Sequence, residues 1–223
     1  MTCNYIDIIS PMEINRYIEH TLLKQDATYE QIKNLIDEAK KHGFFGVCVN
    51  PDYIRYAKEL LKDTDIKLVT VVNFPLGKGG ANITCAQVKE VIANGADEVD
   101  TVINVSDIKN KDYTKIKDEI SKIKASCGNH NLKVILETDL LTDEEILKAA
   151  IICKDAGANF IKTSTGFVKN GIGATIEAVK IMKSTGMNVK ASGGIKTRDQ
   201  ALSLIKAGAT RLGTSSGCEI VKE

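Results

Sequence analysis

The stretch that decides the fold is Gly157-Ala158-Asn159-Phe160-Ile161-Lys162-Thr163, because similar stretches recur along the chain. Residues 95–101 read Gly-Ala-Asp-Glu-Val-Asp-Thr, residues 208–214 read Gly-Ala-Thr-Arg-Leu-Gly-Thr, and a fainter copy begins at Gly43. The first glycine of each copy can adopt the left-handed conformation that ends a helix, and an apolar run follows directly. The repeat therefore predicts a helix followed at once by a β-strand, several times over.

Outward from these copies, short apolar runs alternate with helical patterns along all 223 residues. The strands are predicted at residues 16–20, 46–49, 67–72, 98–102, 133–137, 160–163, 188–191 and 211–213. The clearest helices are predicted at residues 28–42, 83–94, 113–126, 143–156, 172–185 and 198–207. Thr28 with Gln31 and Thr142 with Glu145 have the spacing of capping boxes.

This alternation, without a linker, predicts the α/β class and a single (β/α)8 TIM barrel as one catalytic domain over residues 1–223. A doubly wound open sheet is the alternative, because the number of strands does not prove closure. Side chains alternate across a strand, so the register of the repeats also predicts directions. Val47, Val99, Ile161 and Leu212 should face the helices. Their neighbours Cys48, Asp100, Lys162 and Gly213 should face the barrel interior.

Composition excludes several classes of function. The net charge is +1 and tryptophan is absent, which disfavours nucleic acid and membrane surfaces as partners. Met1–Ser10 lacks the pattern of a secretory signal, and the apolar runs are too short to cross a bilayer. The six cysteines form no C-x-x-C pair, which indicates reduced thiols in the cytoplasm. The three histidines are dispersed, so the sequence implies no metal.

Lys162 and Lys190 are the candidate reactive pair, on predicted strands that follow one another in sequence. If both face inward, their backbones lie about 5 Å apart. Two ammonium groups at that distance repel by about 3 kcal/mol at an effective dielectric near 20, which lowers the pKa of one lysine toward neutrality. A neutral amine can attack an aldehyde carbonyl, and Asp100 could relay the protons. A single lysine in a strand is usually solvated, and Asp100 alone could be a structural ion-pair partner. Two inward lysines beside an inward carboxylate favour chemistry.

Two glycine-rich segments predict a phosphate-binding site. Gly193 and Gly194 follow the seventh strand, and Gly213 with Ser215 and Ser216 follows the eighth and precedes a short helix. Glycines let backbone N–H groups approach an anion, and barrels often bind phosphate at these loops. The simpler interpretation is that the glycines only form tight turns. Glu137 could orient a substrate hydroxyl or pair with a lysine, and Cys48 is interpreted as a packed residue.

Seven segments resemble the deoxyribose-phosphate aldolase family across nearly the whole chain. They are residues 19–24 (EHTLLK), 47–51 (VCVNP), 73–77 (NFPLG), 97–104 (DEVDTVIN), 137–138 (ET), 160–166 (FIKTSTG) and 189–194 (VKASGG). The resemblance implies reversible cleavage of 2-deoxy-D-ribose 5-phosphate to D-glyceraldehyde 3-phosphate and acetaldehyde, in deoxynucleoside catabolism.

The resemblance also implies roles for individual residues. Lys162 would form the imine, Lys190 would promote its deprotonation and Asp100 would relay protons. The phosphate and substrate would bind at Gly166, Gly193, Gly194, Gly213, Ser215 and Ser216. The resemblance implies no metal and no organic cofactor. It does imply a possible homodimer.

Three features depart from the family's common pattern. Glu19 replaces an aspartate, Phe167 stands where some members have a phosphate-contacting lysine, and the sequence ends at Glu223 without a tyrosine-bearing tail. We expect activity to be retained, with weaker phosphate selectivity. The rival hypotheses are another imine-forming phosphosugar aldolase, a transaldolase included, and a non-catalytic phosphometabolite-binding barrel.

Overall fold

Eight parallel strands close into a barrel in the computed structural model, which describes residues 14–222. Each strand pairs with its sequence neighbours, and β1 closes the barrel against β8. The strands are β1 (Ile18–Leu22), β2 (Gly46–Val49), β3 (Lys67–Val72), β4 (Glu98–Val102), β5 (Asn131–Ile135), β6 (Phe160–Lys162), β7 (Asn188–Ser192) and β8 (Arg211–Thr214). Closure confirms the predicted barrel and rejects the open sheet.

Helices follow the strands around the outside. They are α1 (Tyr29–His42), α2 (Ile54–Leu60), α3 (Gly80–Ala93), α4 (Val105–Lys109), α5 (Tyr113–Cys127), α6 (Asp143–Asp155), α7 (Ile176–Ser184), α8 (Arg198–Ala207) and α9 (Gly217–Lys222). Single 3-10 turns cover Asn15–Tyr17, Pro51–Tyr53 and Thr138–Leu140. Among residues 14–222, no helix has the length and apolar character needed to cross a membrane. The expectation that Met1–Ser10 lacks a secretory signal falls outside the described residues.

Local signals explain where several helices begin and end. Both predicted capping boxes form, at Thr28 with Gln31 and at Thr142 with Glu145. A third forms at Thr197 with Gln200, which has the same spacing. Gly43 ends α1 with φ +64°, in the left-handed region. Each cap satisfies backbone groups that a helix end leaves without partners.

Several predicted boundaries were wrong, and the helix predicted at residues 83–94 begins already at Gly80. The first strand begins at Ile18, because residues 15–17 form a 3-10 turn, and the fifth covers residues 131–135 instead of 133–137. Glu137 has φ +61°, which no β-strand allows, and it leads into the next 3-10 turn. The predicted helix at residues 172–185 begins only at Ile176, because the carboxylate of Asp139 accepts hydrogen bonds from the backbone N–H groups of Ile172 and Gly173.

The two faces of the strands carry different residues, as the register predicts. Val47, Val99, Ile161 and Leu212 are fully buried in the apolar layer between strands and helices. Cys48 lies inside the barrel, in a small separate cluster with Leu23, Val69 and Val71. The rest of the interior holds ionic side chains, and these define the candidate site.

Candidate active site

Lys162 ends β6 and pairs directly with Lys190 on β7. Direct partners on adjacent parallel strands present their side chains on the same face, so both lysines point into the barrel. Asp100 on β4 joins them. Its Oδ2 accepts hydrogen bonds from Lys162 Nζ at 3.0 Å and from Lys190 Nζ at 2.8 Å. The structure thus brings the three predicted catalytic residues together in one buried group.

A third lysine, Lys133 on β5, shares the same carboxylate. Its Nζ donates to Asp100 Oδ1 at 3.0 Å and lies 2.6 Å from Glu98 Oε2. Lys190 also donates to Glu19 on β1, and Arg211 Nε lies 3.4 Å from the other oxygen of Glu19. These seven residues are called the ionic cluster here: Glu19, Glu98, Asp100, Lys133, Lys162, Lys190 and Arg211.

The residues predicted for the site did not include Lys133, Glu98 and Arg211. The alternation of side chains along each strand nevertheless indicates that all three face inward. Lys133 is two residues before Ile135 and four before Glu137, which was expected to face inward. Arg211 is two residues before Gly213, and Glu98 is two before Asp100. Because side chains at i and i+2 share a face of a strand, each of the three was predictable as inward.

The electrostatics of the cluster fix several charge states. Burial opposes the charge on Asp100, but the surrounding lysines outweigh burial and hold its pKa well below the usual value. Burial likewise opposes the charges of Lys190 and Lys133. Their neighbouring carboxylates, Asp100 foremost, nevertheless raise the pKa of both lysines. Asp100 is therefore a carboxylate, and Lys133 and Lys190 are ammonium ions, at neutral pH.

Access separates Lys162 from the other two lysines. Lys162 lines a cavity of about 310 Å³ at the carboxyl ends of the strands, and neither Lys133 nor Lys190 does. Lys162 also keeps 3% of its surface exposed, whereas the other two have none. A small carbonyl compound in this cavity would therefore meet the amine of Lys162 first.

All predicted phosphate-loop residues line this same cavity. They are Gly166, Gly193, Gly194, Gly213, Ser215 and Ser216. Gly193 and Gly194 have φ +89° and +73°, and a Cβ at Gly194 would lie 2.6 Å from the carbonyl oxygen of Ile172. Because these two positions carry no side chain, the loop after β6 can lie directly against the loop after β7. The backbone of the two glycines is accessible as well.

Gly213 and Ser216 have partners inside the protein. A Cβ on Gly213 would lie 2.9 Å from Lys190 Cε, so the missing side chain makes room for that lysine. The backbone N–H of Ser216 donates to Thr214 Oγ1 at 2.9 Å. The backbone N–H of Ser216 is therefore already occupied. Its hydroxyl is the group that remains available to a ligand.

Thr165 and Phe167 line the cavity, and neighbouring side chains hold both of them in place. The carboxylate of Glu137 accepts hydrogen bonds from the backbone N–H and the hydroxyl of Thr165, so it positions the loop after β6 instead of pairing with a lysine. Burial raises the pKa of Glu137. Phe167 packs edge-to-face on Phe74, with ring centroids 5.2 Å apart. Burial raises the pKa of Cys48 to about 11, which agrees with a packed thiol and not a nucleophile.

Comparisons with known proteins agree with this geometry. The family described as DeoC/LacD family aldolase matches residues 13–223. Deoxyribose-phosphate aldolase of Lactococcus lactis subsp. lactis is 48% identical over 214 residues, covering 95% of this chain and 96% of the relative. The corresponding protein of Staphylococcus carnosus is 47% identical with the same coverage.

A solved structure shows the same architecture. Deoxyribose phosphate aldolase from Aeropyrum pernix, described as a unique tetramer, superposes with a TM-score of 0.86 at 32% identity, covering 96% of this chain and 91% of that one. The closed barrel, the lysine–aspartate group and the family match over nearly the whole length lead to one conclusion. This chain belongs to the DeoC/LacD family of aldolases.

Proposed function

We propose that this protein reversibly cleaves 2-deoxy-D-ribose 5-phosphate to D-glyceraldehyde 3-phosphate and acetaldehyde, through an imine on Lys162. One observation carries the proposal: of the three inward lysines that share Asp100, Lys162 alone lines the cavity. The whole-length similarity to proteins named deoxyribose-phosphate aldolase supports the choice of substrate.

The charges of the ionic cluster do not balance when every group is ionised. Four cationic side chains face three carboxylates, so the fully ionised cluster carries 4 − 3 = +1 charge. Loss of one proton balances the charges. Lys133 and Lys190 remain ammonium ions, and Lys162 is the amine that substrate can reach. The ammonium of Lys190 repels a second charge at Lys162 across the shared Asp100 oxygen.

The proposed reaction requires Lys162 to act as a neutral amine. Lys162 Nζ attacks the aldehyde carbon of the open-chain sugar, and loss of water from the carbinolamine gives a protonated imine. The C2–C3 bond then breaks, its electron pair moves toward the iminium nitrogen, and the C3 hydroxyl loses its proton as glyceraldehyde phosphate forms. Protonation of the enamine at C2 and hydrolysis release acetaldehyde. Asp100, 3.0 Å from Lys162 Nζ, relays protons in these steps.

The phosphate would bind at the loops after β6, β7 and β8, which line the cavity. Gly166, Gly193 and Gly194 present backbone, and Ser215 and Ser216 present hydroxyl groups. Lys24 and Lys196 line the same cavity and are the cations available to the phosphate in place of the lysine that some family members have at position 167. Phosphate selectivity would therefore rest on backbone groups, Lys24 and Lys196.

The rival functions predict different results. A non-catalytic binding barrel has no use for a buried amine with an uncompensated charge, since such burial only lowers stability. An aldolase of different specificity shares the imine chemistry and differs in the sugar. A homodimer and a cytosolic location remain predictions. The five described cysteines are free thiols, which supports a reducing compartment.

Turnover tests the proposal. Purified protein is incubated with 2-deoxy-D-ribose 5-phosphate, and the release of glyceraldehyde 3-phosphate is followed with a coupled enzyme. We expect turnover by the wild type and a rate at background for Lys162→Ala, with Lys67→Ala on the exposed start of β3 as control. Turnover of another phosphosugar alone would establish the first rival. Binding of the sugar phosphate without turnover would establish the second.

A further inference from the structure

A separate group of metal-ligand side chains lies on the helix-facing side of β1, the side opposite the ionic cluster. His20 on β1, Glu38 on α1 and Cys218 on α9 each offer one ligand atom, and the three atoms lie within 4.8 Å of one another. Glu38 and Cys218 lie 18 and 198 positions after His20 in the sequence, so no sequence motif indicates the group. The proposed chemistry at Lys162 uses none of the three.

The geometry of the group suits a small divalent cation. His20 Nε2 lies 2.7 Å from Glu38 Oε2, and Cys218 Sγ lies within 4.8 Å of the ligand atoms of both residues. A tetrahedral zinc ion, with bonds of about 2.0 to 2.3 Å, needs its ligand atoms roughly 3.5 Å apart. The Glu38 side chain is 49% exposed. It can therefore move by the fraction of an ångström to one ångström that such a site requires.

The imidazole is held in place by packing. The His20 side chain is 3% exposed and contacts Phe44 edge-to-face at 5.2 Å. A Cβ on Gly217 would lie 3.0 Å from His20 Nδ1. Nδ1 itself is buried without a hydrogen-bond partner, so Glu38 is the ring's hydrogen-bonding partner among residues 14–222. A ring held this firmly is a preorganised ligand.

An entry path and an open coordination position are also present. A solvent-accessible cavity of about 360 Å³ between β1 and α1 is lined by His20, Glu38 and Ser215. Three protein ligands with one side open to water form the pattern of zinc sites that keep a water ligand. Imidazole and thiolate ligands favour zinc-like ions over Mg²⁺ or Ca²⁺, which prefer oxygen ligands.

We propose that His20, Glu38 and Cys218 form a binding site for one Zn²⁺-like cation. His20 binds through the lone pair of Nε2, Glu38 through a carboxylate oxygen and Cys218 as a thiolate, with water as the fourth ligand. The thiol proton passes to water, and no oxidation or reduction is involved. The ion would join β1, α1 and α9, and α9 directly follows Ser215 and Ser216 at the cavity.

Cobalt provides the test, because thiolate-bound Co²⁺ gives a sulfur-to-metal charge-transfer band and tetrahedral Co²⁺ gives strong visible bands. The full chain is reduced, freed of metal with a chelator and titrated with Co²⁺. We expect both bands to saturate at one ion per chain and to disappear when Zn²⁺ is added.

Variants assign the ligands, with circular dichroism to check folding. Cys218→Ser should abolish the charge-transfer band, and Glu38→Gln, at a half-exposed position, should weaken Co²⁺ binding by at least about tenfold. Cys85→Ser, which replaces a partly buried thiol on α3, is the matched control and should bind as the wild type does. The proposal is overturned by any of three results: no charge-transfer band in the wild type, a band that survives Cys218→Ser, or unchanged affinity in Glu38→Gln.

Discussion

Two sides of the barrel interior differ in chemistry although the same strand pattern builds them. On one side Leu23, Cys48, Val69 and Val71 form an apolar cluster with Phe74. On the other side the strands β4 to β8, with Glu19 of β1, carry the ionic cluster. The apolar side removes water from the interior, so the charges can be stabilised only by one another. The apolar cluster therefore strengthens the electrostatic interactions among the lysines and carboxylates of the ionic cluster.

The comparison predicts that removing one buried charge has the largest effect on stability. Lys133→Met leaves Asp100 and Glu98 without this cation and should lower the free energy of unfolding by about 3 to 5 kcal/mol. Lys67→Met, on the exposed start of β3, should change it by less than about 0.5 kcal/mol. Urea denaturation measures both. If both variants lost equally little unfolding free energy, the charges of the ionic cluster would not stabilise one another strongly.

Asp100 gives a pH-dependent form of the same test. Its pKa is held below that of the unfolded chain, about 3.9, so its stabilising contribution is present above that pH and is lost as the pH falls toward the folded value. Wild type should exceed Asp100→Asn in unfolding free energy by about 3 kcal/mol at pH 7. The gap should narrow steadily below about pH 4. A gap that stays constant down to pH 3 contradicts the assigned charge.

The apolar side should respond through packing alone. Val71→Ala removes two methyl groups from a side chain that is 2% exposed, and should cost about 2 kcal/mol of unfolding free energy. Because Val71 makes no polar contact with the lysines, kcat should change by less than about threefold. Calorimetric unfolding and steady-state kinetics of one preparation measure both effects. A loss of kcat larger than the loss of stability would show a direct catalytic role for this side.

The smallest effect is expected for a substitution of Phe167, which packs against Phe74 of the apolar side. Phe167 packs on Phe74, lines the cavity and is 44% exposed. Phe167→Lys adds a cation at the cavity mouth and should lower KM for the phosphorylated sugar by about fivefold, or roughly 1 kcal/mol. KM for unphosphorylated deoxyribose should stay constant. A parallel fall in both KM values would contradict a phosphate contact.

Much of this arrangement is predictable from sequence because local rules control it. The left-handed glycine, the capping spacing and the alternation of side chains locate the barrel and point Asp100, Lys162 and Lys190 inward. Six of the eight strands begin at the residue that the pattern predicts, and three of these also end there: β2, β3 and β4.

The rest depends on contacts between distant segments. Asp139 holds Ile172 and Gly173, and this bond keeps residues 172–175 out of the helix that their composition suggests. Lys133 was treated as the start of a strand, and only its register against Asp100 on β4 shows that the two are direct partners. The group at His20, Glu38 and Cys218 likewise exists only after the barrel has closed.

The identity of the reacting amine is tested most directly by trapping the imine. The protein is treated with acetaldehyde and borohydride and digested, and the peptides that contain Lys133, Lys162 and Lys190 are analysed by mass spectrometry. An ethyl group on Lys162 alone is the predicted result, because the other two amines are ammonium ions without access to the cavity. An ethyl group on Lys190 or Lys133, or turnover without any adduct, would contradict the account.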